Sequence, residues 1–383
     1  MFECTFEAER EVQMNRRDFL KVGGAAMAGI LSTQTSMAKS AVDYQSTGAS
    51  ILPGLPINDG YSFPAEWERH ESTLMKFPSP QSWYPHQLSA ARKEWAEVAN
   101  TVAEFEPLIM AVRPQDKKTA KKLLSSQIEL IEMPLNDAWS RDSGPMIVQN
   151  AYGDRRIAGF VFNGWGGKYP PFKDDALAKG RFARYLDMEM YVSDLVLEGG
   201  AVALDGERTL ITTEECLMHT NRNPGWSRSQ IESHLTNYLG VSKIIWIKNG
   251  LTPDPITDGH IDGMVAFAGP GTVLLHTTDE KDDPNNKITK AAKKVLENSV
   301  DAKGRKFEII EIPLTSWDVV HMNFYICNGA IVVPTTGKKR EDDVPLGILR
   351  EVFPEREVVG VSGNILASGG GGVHCITQQV PAV

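Results

Sequence analysis

The sequence predicts an α/β fold, and three observations support this prediction. Helical and strand-like hydrophobic patterns alternate along the chain, a strand–loop–strand motif recurs, and the composition is that of a globular protein. Of the 383 residues, 42% are hydrophobic and 23% are charged, so the chain can form one large domain or two ordinary ones. The net charge of −9 argues against nucleic acid as a partner, because such binding needs a basic surface.

Residues 1–38 have the pattern of a twin-arginine export signal. Arg16 and Arg17 precede an apolar run at 22–31, and small residues follow as far as Ala38, where cleavage is expected. The pattern predicts that the export machinery is a partner and that the mature protein is periplasmic or secreted. The alternative is a buried helix that happens to follow two arginines. No later segment has the ~18 uninterrupted apolar residues that a membrane span requires.

The chain after the signal divides into a tether and a globular domain. Residues 39–60 are rich in Ser, Thr, Gly and Pro and are predicted to form a flexible tether, whereas residues 61–383 are predicted to form one domain. Met14 is the more usual start for a signal of this kind, so translation from Met14 and from Met1 are alternatives.

Within the predicted domain, segments with helical periodicity alternate with short β-rich segments. The predicted helices are 86–105, 115–126, 226–239, 286–300 and 345–353. The predicted strands are 210–213, 243–247, 272–276, 307–312 and 330–334.

A strand–loop–strand motif occurs three times. The sequence Ile-Glu-Met-Pro-Leu at 131–135 recurs as Ile-Glu-Ile-Pro-Leu at 310–314, and the segment 246–275 follows the same plan. A polar loop follows each strand end, and the strands expected beyond the loops are 144–148, 328–333 and 271–275. Repeated units of this kind indicate a closed, pseudosymmetric array around a single site.

Two segments offer a nucleophile and a proton carrier. Cys375 follows four consecutive glycines at 369–372, which allow the backbone to approach a ligand closely. Its thiol is a candidate nucleophile, although a structural cysteine in a flexible tail fits the same pattern. If the chain is extended, His260 and Asp262 share one face of a strand and form a general acid–base pair. The alternatives are a surface ion pair and a metal site, which lacks a further His or Cys at zinc-ligand spacing.

The cysteine count also indicates a free thiol. Cys4 leaves with the signal, and Cys216, Cys327 and Cys375 remain. Because their number is odd, at least one thiol is free unless it pairs between chains.

Two further segments offer carboxylates. The block 136–145 places Trp139, Arg141 and Asp142 in one turn, and a carboxylate beside an aromatic face suits a planar cation. Glu198 precedes two glycines between apolar strands, so it is a candidate buried carboxylate. An ordinary polar turn is the alternative for each segment. Taken together, the thiol, the imidazole and the carboxylates suit attack on a small cationic carbon centre and suit anionic substrates poorly.

These segments together resemble the agmatine deiminase family of guanidine-modifying enzymes, which is related to bacterial peptidylarginine deiminases. The resemblance covers residues 61–382, and it is carried by the segments 63–71, 136–145, 162–171, 197–200, 212–224, 259–262, 323–329 and 374–379. It implies a five-bladed, pseudosymmetric α/β propeller of repeated ββαβ units. It also implies that residues 61–383 are a single deiminase catalytic domain.

The resemblance implies catalytic roles for five residues. By position, Cys375 matches the nucleophile and His260 matches the general acid–base. Asp142 and Asp262 match the carboxylates that hold the guanidinium nitrogens, and Glu198 matches the acid that hydrogen-bonds both the guanidinium and the histidine.

The same resemblance extends to substrate binding and assembly. Trp139 lies where the family lines the substrate channel, and Asn323 falls among the substrate-binding residues together with the three carboxylates. No metal and no organic cofactor is implied, and a homodimer is expected.

The implied reaction converts a guanidinium group to a ureido group and releases ammonia. Agmatine is the first substrate to expect, with N-carbamoylputrescine as product. Peptidyl-arginine or free arginine, giving citrulline, is the alternative, because Ile256 stands where the family often has an acid that can meet the distal amine. Asp254 and Asp258 lie nearby and could replace that acid. Amidino transfer to an amine and guanidine binding without turnover are the remaining alternatives.

Overall fold

The computed structural model describes residues 43–81, 87–316 and 318–383, and the predicted export signal lies outside them. The α/β prediction is confirmed. In chain order the strands are β1 (His70–Lys76), β2 (Leu108–Val112), β3 (Glu129–Glu132), β4 (Met146–Gln149), β5 (Arg155–Val161), β6 (Met190–Val196), β7 (Val202–Leu204), β8 (Thr209–Thr213), β9 (Lys243–Ile247), β10 (Val265–Gly269), β11 (Thr272–Thr277), β12 (Glu308–Pro313), β13 (Tyr325–Cys327), β14 (Ala330–Thr335), β15 (Glu357–Ser362) and β16 (Gln378–Pro381).

The α-helices range from single turns to four turns. They are α1 (Leu88–Val102), α2 (Lys117–Leu123), α3 (Ser140–Ser143), α4 (Gly164–Gly167), α5 (Lys173–Ala176), α6 (Ala178–Tyr185), α7 (Glu214–Leu217), α8 (Arg228–Leu239), α9 (Pro284–Glu297), α10 (Lys339–Val352), α11 (Asn364–Ser368) and α12 (Val373–Ile376). Short 3-10 helices lie at Tyr44–Thr47, Pro56–Asp59, Pro114–Asp116 and Gly199–Ala201. None of the helices in the described ranges is long and apolar enough to cross a membrane.

The described strands form five sheets of three or four strands. Four sheets, β4–β5–β6, β7–β8–β9, β10–β11–β12 and β13–β14–β15, share one plan. Their first two strands are antiparallel, and the third lies parallel to the second after a connection that contains a helix. The fifth sheet has the order β16–β1–β2–β3, so the last strand of the chain pairs with the first. This pairing joins the two ends of the described chain.

Each predicted helix and strand has a counterpart in the structure, and all but β9 have shifted ends. The largest shift is in α10, which was predicted to begin at Pro345 and begins at Lys339. Proline is more common in the first turn of a helix than inside it, so Pro345 indicated the helix start although it lies inside the helix.

The repeat prediction was wrong about the strand that follows two of the loops. The segments 271–275 and 328–333 were expected to follow the polar loops directly, but β10 and β13 come first and pair with them as hairpins. Only the first copy of the motif was correct, since β4 does follow its loop. The strand β13 spans three residues, which is too short to show a strand-like alternation.

Residues 43–60 differ from the predicted flexible tether, because they pack against the domain. Tyr44 is almost fully buried, and its hydroxyl donates a hydrogen bond of 2.9 Å to the carbonyl of Phe160. Ile51 forms a parallel bridge with Met190 at the start of β6. The Ser, Thr and Gly content that indicated a tether instead provides tight turns, such as the one closed by Gly48 with a φ of 81°.

The loops between the sheets carry all the predicted site residues. Trp139 and Asp142 lie between β3 and β4, Glu198 between β6 and β7, His260 and Asp262 between β9 and β10, Asn323 between β12 and β13, and Cys375 between β15 and β16. Each of the five inter-sheet connections therefore contributes to one group of residues. The helix α3 contacts both α12 and the 3-10 helix Gly199–Ala201, which brings three of these loops into direct contact.

Candidate active site

The nucleophile candidate lies on a one-turn helix that follows the glycine run. Cys375 is on α12, and its backbone N–H donates to Oδ1 of Asn323 at 3.2 Å. A Cβ at Gly371 would lie 2.5 Å from the indole of Trp139 and 3.1 Å from Cys375 Sγ. Gly370 has a φ of 90°, a conformation that L side chains rarely adopt. Close packing of the backbone therefore accounts for these glycines, in contrast to the flexible-tail alternative.

The thiol of Cys375 faces carboxylates. Its Sγ lies 3.5 Å from Oδ2 of Asp262, and the side chain is 7% exposed. Burial raises the pKa of this thiol well above its ordinary value, and the negative charges of Asp262 and Asp142 raise it further. The group is therefore a neutral thiol in the unliganded protein near neutral pH.

His260 and Asp262 lie in a turn, so the extended conformation that would place them on one face of a strand is not adopted. The turn precedes β10 and buries Ile261, which lies between them in sequence, in the core. Both side chains nevertheless converge on Gly200. A Cβ added at Gly200 would lie 2.6 Å from His260 Nδ1 and 2.9 Å from Asp262 Oδ2. The imidazole and the carboxylate are thus neighbours, as an acid–base pair requires.

The imidazole of His260 lies between two further carboxylates. Its Nδ1 is 3.8 Å from Oδ1 of Asp142, and its Nε2 is 3.7 Å from Oε2 of Glu198. Burial opposes protonation, but Asp142, the thiol of Cys216 and Glu198 together raise the pKa of His260 well above its ordinary value. The imidazolium form is therefore favoured at neutral pH.

Asp142 is held by two hydrogen-bond donors. The indole N–H of Trp165 donates to its Oδ2 at 2.9 Å, and the backbone N–H of Gly200 donates to its Oδ1 at 3.1 Å. Burial raises the pKa of this carboxyl group, and the neighbouring acids do the same. Trp165 lies within one of the segments that carried the family resemblance, but no role was predicted for it.

Glu198 is fully buried beside an arginine that the sequence analysis missed. Nε of Arg222 donates to Oε1 of Glu198 at 2.7 Å, and Nη1 donates to Oδ2 of Asp258 at 2.9 Å. Burial alone would raise the pKa of Glu198, but the nearby imidazole of His260 and the charge of Arg222 lower it. The carboxylate therefore stays ionised in the interior.

A second histidine that was not predicted from the sequence contacts Asp262. Nδ1 of His374 lies 2.9 Å from Oδ2 of Asp262, and its Nε2 lies 2.9 Å from Oε2 of Glu66. Burial opposes the charge on Glu66, yet His374 and Arg141 lower its pKa to about 2. The position of His374 next to Cys375 in the sequence was a signal that could have indicated this role.

A cavity opens beside the thiol, with about 570 Å³ of space when its open mouth is included. Its reactive end is formed by Cys375, His260, Asp262 and Asn323, and the rest of its wall includes Asp318, Leu251, Val320 and Ala367. Trp139, which was expected to line a channel, lies behind Gly371 instead. Its ring packs edge-on against Trp95 with 5.3 Å between centroids, so it supports the wall from the core.

The two acids near Ile256 are occupied by their own loop. The carboxylate of Asp254 accepts hydrogen bonds from the backbone N–H groups of Ile256, Thr257 and Gly259. The carboxylate of Asp258 pairs with Lys168 at 2.5 Å and with the buried arginine described above. Ile256 itself packs close to Gly370. Asp254 and Asp258 therefore hold the loop in place, and Asp254 also lines the cavity beside the thiol.

Cys216, Cys327 and Cys375 are all free and buried. Within the described ranges, one group of three side chains could hold a metal ion, namely Glu198, Cys216 and His260. Their spacing in the sequence did not indicate this, because they come from three separate segments.

The fold and the site define a class of protein. A buried thiol, an imidazole with a raised pKa and several carboxylates around one small cavity are typical of enzymes that act on guanidinium groups. The family described as Porphyromonas-type peptidyl-arginine deiminase matches residues 62–381, and the chain belongs to this family.

Individual relatives agree with this assignment. A Legionella pneumophila protein named as a candidate agmatine deiminase is 37% identical over 338 residues, which cover 85% of this chain and 96% of the relative. The structure of Enterococcus faecalis agmatine deiminase has a TM-score of 0.83 at 31% identity and covers 87% of this chain and 99% of its own. A candidate arginine deiminase from Porphyromonas gingivalis has a TM-score of 0.75 at 29% identity, covering 84% and 98%. The chain is thus a guanidine-modifying hydrolase of the agmatine deiminase type.

Proposed function

We propose that this protein is an exported hydrolase that deiminates agmatine to N-carbamoylputrescine and ammonia. The observation that carries the proposal is the placement of the Cys375 thiol 3.5 Å from a carboxylate of Asp262, in a cavity that His260 also lines. A cationic carbon centre held by the carboxylates would lie between the nucleophile and the proton carrier. No metal or organic cofactor takes part in the proposed chemistry.

Binding of the guanidinium group prepares the nucleophile. The carboxylates of Asp142 and Asp262 accept hydrogen bonds from the guanidinium nitrogens and fix the plane of the group. These same carboxylates raise the pKa of Cys375 in the free protein. A bound cation neutralises them, so the thiol loses its proton when substrate is present.

The reaction then proceeds in two halves. The thiolate of Cys375 attacks the guanidinium carbon and forms an S–C bond, and His260 donates a proton to the departing nitrogen. The C–N bond breaks, ammonia leaves, and a thiouronium adduct remains on the sulfur. His260 removes a proton from a water molecule, and the resulting hydroxide attacks the same carbon. The S–C bond then breaks, and the proton of the new hydroxyl group passes to the cysteine sulfur. The product is the ureido compound, and the cysteine is free again.

Two observations support agmatine as the substrate. The relatives above include proteins named as agmatine deiminases. Asp318 adds a carboxylate to the cavity lining, and Leu251 and Val320 offer apolar contacts for a methylene chain. We infer that Asp318 meets the distal ammonium group, with Asp254 in the same cavity as the alternative.

Arginine is the second candidate, as the free amino acid or within a peptide. The matching family is described as peptidyl-arginine deiminases, and a relative from P. gingivalis is named as a candidate arginine deiminase. Ile256 packs near Gly370 at the cavity, where an apolar side chain suits a peptide backbone better than a lone ammonium.

Architecture, location and assembly complete the proposal. We infer that the five sheets are the blades of a pseudo-fivefold α/β propeller whose inter-sheet loops meet at the centre. The residues before Lys39 direct export by the twin-arginine machinery, so the substrate is met in the periplasm or outside the cell. A homodimer is the assembly that we expect.

The test uses the mature chain beginning at Lys39. Ammonia and ureido product are measured with agmatine, free arginine and a short arginine peptide, and Cys375→Ala serves as the inactive control. We expect turnover of agmatine, whereas turnover of the peptide alone would establish the second candidate. Consumption of agmatine only with an added amine, without ammonia release, would indicate amidino transfer. Equal signals from the wild type and Cys375→Ala would refute hydrolysis.

The role of Asp318 needs a separate comparison. Butylguanidine has the chain and the guanidinium group of agmatine but lacks the distal amine. Loss of an ion pair in a cavity costs about 1.4 kcal/mol or more, so Asp318→Asn should raise KM for agmatine at least about tenfold. The same substitution should leave KM for butylguanidine unchanged. An equal effect on both compounds would show that Asp318 acts on the shape of the cavity instead.

A further inference from the structure

Three buried donor groups face one point beside the proposed acid–base residue. Glu198, Cys216 and His260 come from the β6–β7 loop, from α7 and from the β9–β10 loop. One ligand atom from each lies within 4.8 Å of the other two. Their exposures are 0%, 0% and 7%, so the point is shielded from bulk water.

Several of these donor atoms have no hydrogen bond. Among the residues that the structure describes, both ring nitrogens of His260 and Oε2 of Glu198 are buried without a partner. The nearest carboxylate oxygens lie 3.7 and 3.8 Å from the imidazole nitrogens, which is beyond hydrogen-bond distance. Buried polar atoms are normally paired, so this group has spare capacity for a ligand.

The proposed reaction accounts for part of this group only. His260 is the proton carrier in that reaction, and Glu198 lies beside it. The thiol of Cys216 has no role in the reaction. The sulfur of Cys216 adds a third ligand to the carboxylate of Glu198 and the imidazole of His260. Carboxylate, imidazole and thiolate are the ligands of Zn²⁺, and three protein ligands with an open position are a common zinc arrangement.

The charges around the group are compatible with a dication. The carboxylate of Glu198 and the thiolate form of Cys216 would neutralise it. Arg222 is close, but it donates to Oε1 of Glu198 and pairs with Asp258, so Oε2 is left as the ligand atom. Magnesium and calcium ions prefer oxygen ligands, and the sulfur and nitrogen donors therefore select a thiophilic metal.

We propose that Glu198, Cys216 and His260 form an inhibitory site for a thiophilic divalent cation of the Zn²⁺ type. Bonds form from the metal to Oε2, Sγ and one imidazole nitrogen, and the protons of the Cys216 thiol and of that imidazole nitrogen pass to solvent. A metal-bound His260 is unable to exchange protons with substrate, so turnover stops. The inhibition rests on the function proposed above, whereas the binding does not.

The first experiment measures binding without using activity. Co²⁺ serves as the spectroscopic probe, because a cobalt–thiolate bond gives a charge-transfer absorption, and Zn²⁺ affinity is measured by competition with a chromophoric chelator. Cys375→Ala removes the nucleophile as a rival ligand. Cys327→Ala is a matched control, since it removes another buried thiol away from the site. Cys216→Ala and Cys216→Ser remove the proposed sulfur ligand in two different ways.

The expected result separates the three thiols. Cys375→Ala and Cys327→Ala should each bind one metal ion per chain and keep the charge-transfer band. Both Cys216 variants should lose the band and bind Zn²⁺ at least about tenfold more weakly, as expected when a ligand is removed. If the band persists without Cys216, or disappears with Cys375→Ala, the metal binds elsewhere and the proposal is wrong.

The second experiment measures inhibition of ammonia release by Zn²⁺, relative to the metal-free rate of each variant. The half-inhibitory concentration should be at least about tenfold higher for Cys216→Ala than for the wild type, and unchanged for Cys327→Ala. Addition of EDTA should restore the wild-type rate. Equal sensitivity of all the variants would overturn the inhibitory role. If no guanidine is turned over at all, the proposed function fails, and the cobalt measurement still decides the site.

Discussion

Replacement of Gly200 by alanine should abolish most of the activity while the protein stays folded. Gly200 donates its N–H to Asp142, and its carbonyl accepts from the N–H of Asp262. A Cβ here would lie 2.6 Å from Nδ1 of His260, where ordinary contact begins at 3.4 Å, so the imidazole must retreat by about 0.8 Å. A misplacement of about 1 Å can cost on the order of 100-fold. We therefore expect kcat/KM to fall about 100-fold, or about 2.7 kcal/mol.

A matched control makes this prediction specific to the site. Gly263 lines the cavity beside the thiol, and a Cβ there would meet only Val320 Cγ1 at 3.6 Å, an ordinary contact. Neither glycine has a left-handed φ, so alanine is sterically allowed on backbone grounds at both positions. Overpacking lowers the free energy of unfolding by about 1–3 kcal/mol. A typical protein has about 5–15 kcal/mol, so both variants should stay folded. Ammonia release and thermal unfolding are measured for both variants. Gly200→Ala with more than about a third of wild-type kcat/KM, or Gly263→Ala with an equal loss, would refute the reasoning.

Three further predictions concern pH, a hydrogen bond and metal removal. Burial is the main cause that lowers the pKa of His276 to about 3, and the nearby His321 adds to it. The unfolded chain therefore takes up a proton first, so stability is full above pH 6.5 and is lost as the pH falls towards 3. Between pH 8 and pH 5, the free energy of unfolding in urea should fall by about 2 kcal/mol less for His276→Gln than for the wild type. An unchanged pH dependence would contradict this. Trp165→Phe removes the N–H donor to Asp142, so kcat/KM should fall at least about tenfold, and a loss in stability alone would argue for a packing role. Dialysis against EDTA should leave ammonia release undiminished, and a loss that added metal restores would refute the metal-free chemistry.

Much of the fold could be predicted from local patterns, because periodicity reports which faces of an element are buried. The strand β9 was predicted with its exact ends, and β8, β11, β12 and β14 differ by a residue or so at their ends. The missed strands are β1, β2, β5, β6, β7, β10, β13, β15 and β16. The shortest of them, such as three-residue β13, have too few alternations to be recognised. The packing of Tyr44 was also missed, because burial of a single aromatic residue depends on tertiary contacts that composition does not record.

The site shows the same division between local and long-range information. Cys375 and His260 could be singled out from their neighbours in sequence. The arginine partner of Glu198 could not, since Arg222 reaches it over 24 residues and is buried only because Glu198 and Asp258 neutralise it. The grouping of Cys216 with His260 likewise depends on the meeting of separate inter-sheet loops. Spacing rules for metal ligands do not apply to donors that are brought together in this way.

The carboxylates that bind the guanidinium group should also suppress the reactivity of the nucleophile until substrate arrives. Asp262 and Asp142 both raise the pKa of Cys375 after burial has raised it, so Asp262→Asn should lower that pKa. The thiolate fraction grows tenfold for each unit of lowering, while its intrinsic nucleophilicity falls with a Brønsted slope of about 0.4–0.5. The net effect is an increase of about threefold per unit in the rate of alkylation by iodoacetamide. We therefore expect Asp262→Asn to alkylate faster at Cys375 than the wild type, as located by peptide mass spectrometry, and to deiminate far more slowly. Slower alkylation in this variant would show that Asp262 activates the thiol in the free protein, which would reverse the order of binding and deprotonation proposed here.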